Sequence, residues 1–222
     1  MTDLEGRLGR PPRLAHFDAR RASALLAQRA SEAGLLDVAY GALDTPLGTL
    51  IVAVTPRGLV RIAYPGEGEE RVLDELAQGV SPRVLHAPER TDAVRRELDA
   101  YFTGIRHEFD LAIDWSLVRG FTLGVLQATA AVPFGSVATY GEVATSAGSP
   151  RAARAAGNAL HINPIPIVVP CHRIVPAAGG IGKYGGGEER KEFLLGLEGA
   201  LPDLMSGRRR ESAGAVRPVT GL

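Results

Sequence analysis

The sequence predicts an α/β chain of α+β type in two parts. A small sheet-containing domain spans residues 37–118, and a mainly helical domain spans 119–202. Three features carry this prediction. Short β-rich runs with tight-turn residues come first, two helical stretches follow them, and a closely spaced pair of capped helices lies beyond residue 138.

Residues 1–36 begin rich in Pro and Arg and continue into DARRASALLAQRASEAGLL, an amphipathic helix with Asp18 as its expected cap. The runs LDVAYGA, GTLIVAV and GLVRIAY are punctuated by TPLG and TPRG, the pattern of a meander with tight turns. EERVLDELAQ and TDAVRRELDAYFTG read as helices and EFDLAID as a further strand. The carboxylates of this part fall at helix-surface spacing. They read as a solvated face, and nothing catalytic is expected there.

The second part opens with the helical FTLGVLQATAAV. Thr139 and Glu142 then have capping-box spacing and start a short helix that Gly148 ends. Ser149 is the expected N-cap of the next helix, with Pro150 at its first position. That helix runs to about His161, and Asn163-Pro164 stops it. Two short helices across a Gly-containing turn make a helix-turn-helix. From Asp203 onward apolar periodicity is absent, and residues 203–222 are expected to be disordered.

Composition removes several classes of function. The 222 residues contain no apolar run near the ~20 needed to span a bilayer. The N-terminus lacks the apolar segment of a secretory signal, so no membrane role and a cytoplasmic location are expected. A single cysteine excludes an internal disulfide and a cysteine-rich zinc site. Lys/Arg and Asp/Glu balance at 25 each, but unevenly: 15 against 18 up to Ala138, and 10 against 7 from Thr139 onward. The basic C-terminal part permits a nucleic-acid surface without demanding one.

Within PRAARAAGNALH, residues Arg151, Arg154, Asn158 and His161 are spaced to share one helix face, and the rest is mostly Ala and Gly. This fits an exposed polar stripe on a surface helix. It equally fits a DNA-entering helix whose small residues allow close approach.

The one thiol, Cys171, lies in IPIVVPCHRIV, directly before His172 and Arg173. A free thiol has a pKa of ~8.5, so a nucleophilic cysteine needs a base or a positive field. In an extended strand Cys171 and His172 would face opposite sides. A bend at Pro170, or a bridging water, is required to connect them. A basic His also needs a carboxylate behind it, for which Glu198 and Glu192 are both candidates. The glycine-rich GGIGKYGGG is not a phosphate loop, because Ala177 and Tyr184 stand where Gly and Ser/Thr are needed. A lid, or a turn bringing backbone N–H groups to a ligand, fits it better.

NPIPIVVPCHRIV, followed by GKYGGG and LEG, resembles the O6-alkylguanine-DNA alkyltransferases over residues from about Phe121 to Gly199. The resemblance implies a small N-terminal domain of ribonuclease-H-like topology and a C-terminal domain that flips alkylguanine from duplex DNA. It implies irreversible alkyl transfer to Cys171, with His172 as base through a water, Glu198 orienting it, and Asn163 as a hinge. Arg154 is implied as the finger entering the base stack. Tyr140 would reach the guanine ring, Tyr184 and Gly185 would line the pocket, and Arg151, Asn158 and Leu160 complete the DNA-facing set. The implied partner is double-stranded DNA, held through its minor groove by a monomer without cofactor or metal. O4-alkylthymine is allowed as a further substrate.

The chain departs from the family pattern at Thr122, Leu126 and Asn158, where Gln, Trp and Gly are usual. Cys171 argues against the alkyltransferase-like proteins that only bind damage. Two other readings are a damage sensor, which no metal-binding activator module supports here, and a cysteine hydrolase, which would turn over repeatedly.

Overall fold

In the computed structural model, which describes residues 33–201 together with Leu25, Arg29 and Ala30, the β-rich runs form consecutive antiparallel strands. They are β1 (Val38–Thr45), β2 (Gly48–Thr55) and β3 (Gly58–Ala63). Thr45 pairs with Gly48 and Thr55 with Gly58, so each connection is a two-residue turn built on a proline. The expected Asp18 cap and the tail from Asp203 lie outside the described residues.

The sheet is not a pure meander. Helix α1 (Glu69–Gly79) carries the chain across to β4 (Val84–His86), which pairs parallel with β1 and gives the order β3-β2-β1-β4. A strand this short, with its residues half-buried or exposed, has no periodicity to announce it. One sheet face packs Val38, Ala53 and Val60 against Val72 and Leu76 of α1. The other faces α2 (Asp92–Phe102), and its core of Leu50, Leu59 and Leu98 continues unbroken into the helical part.

EFDLAID does not form a strand; only Ile113 bridges to Leu59. Here the backbone crosses so close to β3 that a Cβ on Gly58 would lie 2.2 Å from the Ala112 oxygen. The chain then leaves the sheet at Asp114, whose side chain accepts from the Ser116 N–H and starts a 3-10 turn. Asp114 is buried, hydrogen-bonded by Thr55 and Arg57, and so is not part of a solvated acidic face.

The second part comprises α3 (Gly120–Ala130), β5 (Ala138–Thr139), α4 (Tyr140–Ser146), α5 (Ala153–His161), β6 (Ile174–Val175) and α6 (Glu188–Leu197). Leu126 of α3 is fully buried and keeps the core filled at one of the departing positions. The capping box forms: Thr139 Oγ1 accepts from the Glu142 N–H at 3.2 Å, and Glu142 accepts from the Thr139 N–H. Ser149 does not cap α5. The Ala152 N–H donates to the Ser149 carbonyl at 2.9 Å, closing a separate turn with Pro150 second in it, and α5 starts only at Ala153. Arg151 therefore lies in the turn, off the helix. Among the described residues no helix is long and apolar enough to cross a membrane.

Candidate active site

The segment leading to the cysteine is a tight loop and not an extended strand. Pro166 and Ile167 turn it, with Ile167 buried at φ 75°, a conformation that costs a β-branched residue about 1–3 kcal/mol. Asn163, just beyond α5, holds this loop in place. Its Oδ1 accepts from the Ile165 N–H at 3.0 Å, and its Nδ2 donates to the Val169 carbonyl at 2.9 Å and to Cys171 Sγ at 3.1 Å. One amide thus ties the end of the exposed helix to the thiol.

Cys171–Arg173 form a 3-10 turn, closed by the Arg173 N–H donating to the Pro170 carbonyl at 2.9 Å. The turn breaks the extended path at Cys171, but no direct hydrogen bond joins Cys171 to His172, whose Nδ1 has no protein partner. The turn directs His172 and Arg173 into the protein, where both meet Glu198, the C-cap of α6. His172 Nε2 lies 2.9 Å from Glu198 Oε1, and Arg173 donates to both carboxylate oxygens at 2.9 Å. Glu192, the other candidate, is exposed.

Burial alone would raise the pKa of Glu198, but hydrogen bonds and charge from His172 and Arg173 outweigh it and hold the carboxyl at about 2. Burial pushes His172 below its ordinary 6.5, against the pull of Glu198. The ring is therefore neutral at pH 7. Its Nε2–H donates to the carboxylate and Nδ1 is left as an acceptor, buried without a protein partner. For Cys171 burial pushes the pKa up; hydrogen bonds from Asn163 and Tyr184 and the charge of Lys191 oppose it and favour the thiolate.

The thiol is the meeting point of two cavities. One, of about 260 Å³, is walled by Tyr140, Gly157, Asn158, Leu160, Tyr184 and Gly185. The other, of about 490 Å³, opens between the two parts of the chain past Arg61, Tyr64 and Arg190. Gly185 is required by contact: a Cβ there would lie 2.9 Å from the His161 carbonyl oxygen. Tyr140 stands at the first position of α4, with its hydroxyl 3.5 Å from the Lys183 carbonyl. The structure therefore brings Cys171, His172, Glu198, Asn163, Tyr140, Leu160, Tyr184 and Gly185 together. Arg154 and Asn158 are exposed on α5 and Arg151 is exposed in the turn before it.

Sequence reasoning missed four residues here. Tyr101 of α2, fully buried, donates its hydroxyl to Glu198 Oε1 at 2.7 Å. Tyr64, following β3, has its hydroxyl 2.8 Å from that of Tyr184. The first part of the chain is thus not inert at the site, because the shared core brings α2 and the end of β3 against it. Arg173 follows the cysteine in the motif, but its pairing with Glu198 is set by the fold. Lys191 is fully buried, with Nζ donating to the Ile174 carbonyl at 2.6 Å, and burial brings its pKa down to about 8. Its signal was present: Lys191 is three and four residues before Leu194 and Leu195, the inward-facing positions of α6.

The ribonuclease-like domain of 6-O-methylguanine DNA methyltransferase matches residues 38–115, and the DNA-binding domain of the same protein matches residues 120–200. The chain belongs to the 6-O-methylguanine DNA methyltransferase family. The methylated-DNA–protein-cysteine methyltransferase of Mycolicibacterium paratuberculosis is 37% identical over 163 residues, covering 72% of this chain and 92% of that one. The human protein of that name is 38% identical over 163 residues, covering 71% and 78%. The crystal structure of Mycobacterium tuberculosis OGT in complex with DNA superposes with a TM-score of 0.62 at 35% identity, covering 72% of this chain and 92% of that one. The expected order, a ribonuclease-like domain and then a DNA-binding domain, holds for this member of the methyltransferase family.

Proposed function

We propose that this chain repairs alkylated DNA by taking the alkyl group from O6-alkylguanine irreversibly onto Cys171. The carrying observation is a buried thiol hydrogen-bonded by Asn163, followed directly by a His172 that pairs with buried Glu198, at a cavity whose wall belongs in part to helix α5.

The steps follow from these groups. Helix α5 enters the minor groove of duplex DNA, where Ala155 and Gly157 allow close approach and Arg151 and Asn158 face the duplex. Arg154 fills the gap left in the stack, so that the flipped base reaches the cavity between Tyr140 and Tyr184. A water passes the thiol proton to His172 Nδ1, and Glu198 stabilises the imidazolium through Nε2. Sγ attacks the alkyl carbon, the carbon–O6 bond breaks, and its electron pair returns to the guanine. The base takes up a proton, supported by Tyr140, and leaves as neutral guanine. The carbon–sulfur bond has no hydrolytic exit, so each chain acts once. The same site takes O4-alkylthymine, and the protein works as a cytoplasmic monomer without a cofactor.

The test is a count. With methylguanine duplex in excess, transfer should stop at one methyl group per chain. Continued repair beyond one equivalent would overturn suicide transfer and favour a hydrolase.

A further inference from the structure

Tyr64 belongs to the sheet domain, outside every residue assigned above to the chemistry, yet it is one of the more deeply placed side chains near the thiol. It is 7% exposed, and the Arg190 guanidinium lies over its ring, 4.9 Å from the centroid. Its hydroxyl is 2.8 Å from the Tyr184 hydroxyl. Tyr184 lines both cavities together with Cys171, and its hydroxyl favours the thiolate. The loop closes tightly on both rings: a Cβ on Gly186 would lie 2.6 Å from Tyr64 Cε2 and 2.7 Å from Tyr184 Cε1.

Proton counting gives this chain a direction. Each tyrosine has one O–H to donate. If Tyr184 donates to sulfur, its oxygen is free to accept and Tyr64 must be the donor. If Tyr184 instead donates to Tyr64, sulfur loses a donor. Only the first arrangement delivers a hydrogen bond to the thiolate, and donors in series strengthen one another. We infer that Tyr64 is a positioning residue for alkyl transfer: its hydroxyl donates to Tyr184 and so holds the Tyr184 O–H on the Cys171 thiolate, linking the sheet domain to the nucleophile. The inference rests on Cys171 being the alkyl acceptor.

The experiment compares Tyr64→Phe, Tyr184→Phe and the double variant. Single-turnover methyl transfer is followed against pH, together with thiol titration by iodoacetamide, DNA affinity and melting temperature. Tyr64→Phe should slow transfer at pH 7 by about threefold to tenfold, the worth of one hydrogen bond. The thiol pKa should rise correspondingly, by roughly half a unit to one unit, with DNA affinity unchanged. Tyr64→Phe should add no further loss in the Tyr184→Phe background, an outcome a purely structural role does not give. Tyr184→Phe removes the same donor without touching the sheet domain, so it must raise the thiol pKa at least as much even if Tyr64→Phe folds poorly. A wild-type pH profile for Tyr64→Phe, or additive losses in the double variant, overturns the inference. Iodoacetamide reads the thiol without DNA. A shifted thiol in a protein that places no alkyl group on Cys171 would fault the acceptor reading and leave the hydroxyl chain standing.

Discussion

Arg173 and Glu198 meet inside the protein through two parallel hydrogen bonds, Nε to Oε2 and Nη2 to Oε1, each 2.9 Å long. The guanidinium also reaches the Val132 carbonyl, and the carboxylate receives Tyr101 at 2.7 Å and His172 at 2.9 Å. The carboxylate behind the proposed base is therefore also a structural centre, joining the cysteine turn, α2 and α6. Bidentate Arg–carboxylate pairs fix orientation as well as charge. Here the orientation fixed is that of the turn bearing Cys171.

Glu198→Gln should act on stability and rate together. The substitution leaves Arg173 buried without its counter-charge, a loss of about 3–5 kcal/mol. Among molecules that remain folded, transfer should slow at neutral pH because nothing stabilises the imidazolium. The rate loss should shrink as pH rises toward the pKa of the thiol, since solvent then removes its proton. Melting temperature and single-turnover rate against pH check both halves. An unchanged pH–rate profile would take Glu198 out of the proton relay and leave it only the structural role.

Acid should unfold the protein in two overlapping steps. His172 has a folded pKa below 6.5, so the unfolded chain binds its proton first and stability falls as pH drops below that value. Glu198 has a folded pKa of about 2 against an ordinary 4.5, so its contribution is complete above 4.5 and is lost between there and 2. Both groups act in the same direction. Denaturant titrations from pH 7 to pH 3 should show a progressive decline, and a His172→Phe protein should lack the part near pH 6. Stability that rises on acidification would contradict these assignments.

Tyr101→Phe removes one hydroxyl from Glu198 and leaves the ring packing in place. Hydrogen bonds to charged groups are worth about 1.5–3 kcal/mol. The expected fall in melting temperature is roughly 3–12 °C for a chain of this size. With a donor lost, the Glu198 pKa should rise and the acid transition should begin at higher pH. A variant that melts like the parent would show that the Tyr101 contact contributes nothing.

Much of this architecture was legible because local chemistry and global fold agree. The Thr139–Glu142 box, the proline turns of the first three strands and the stop at Asn163-Pro164 are each set by a few adjacent residues, and each appears where expected. The errors arise where tertiary contact decides. Ser149-Pro150 is as good a turn opening as a helix start, and the chain uses it as a turn. Ile167 adopts positive φ with no glycine to mark it, since the Asn163 hydrogen bonds hold it there. Tyr64 and Tyr101 lie 107 and 70 positions before Cys171 in the numbering, and nothing in their local sequence shows that the shared core returns them to the thiol. Cys171 could be singled out from its neighbours in the sequence, whereas the sheet-domain residues packed near it could not.

Arg154→Ala should separate flipping from chemistry. The side chain is exposed on α5, clear of the thiol and its relay, so its removal leaves the proton path intact. Keeping a base out of the stack costs a few kcal/mol, which the finger is expected to offset. Repair of methylguanine in duplex DNA should therefore fall by about a hundredfold, while reaction with free benzylguanine should hardly change. Equal losses on both substrates would mean that Arg154 supports the fold and not the flipped state.

The most direct test of the account is where the alkyl group ends up. The protein would be mixed with a duplex containing one methylguanine, digested, and each peptide weighed, with Cys171→Ala treated in parallel. The account predicts one added methyl group, confined to the peptide bearing Cys171, with none on the variant although it still binds the duplex. A methyl group on any other residue, or repair by the Cys171→Ala protein, would contradict it.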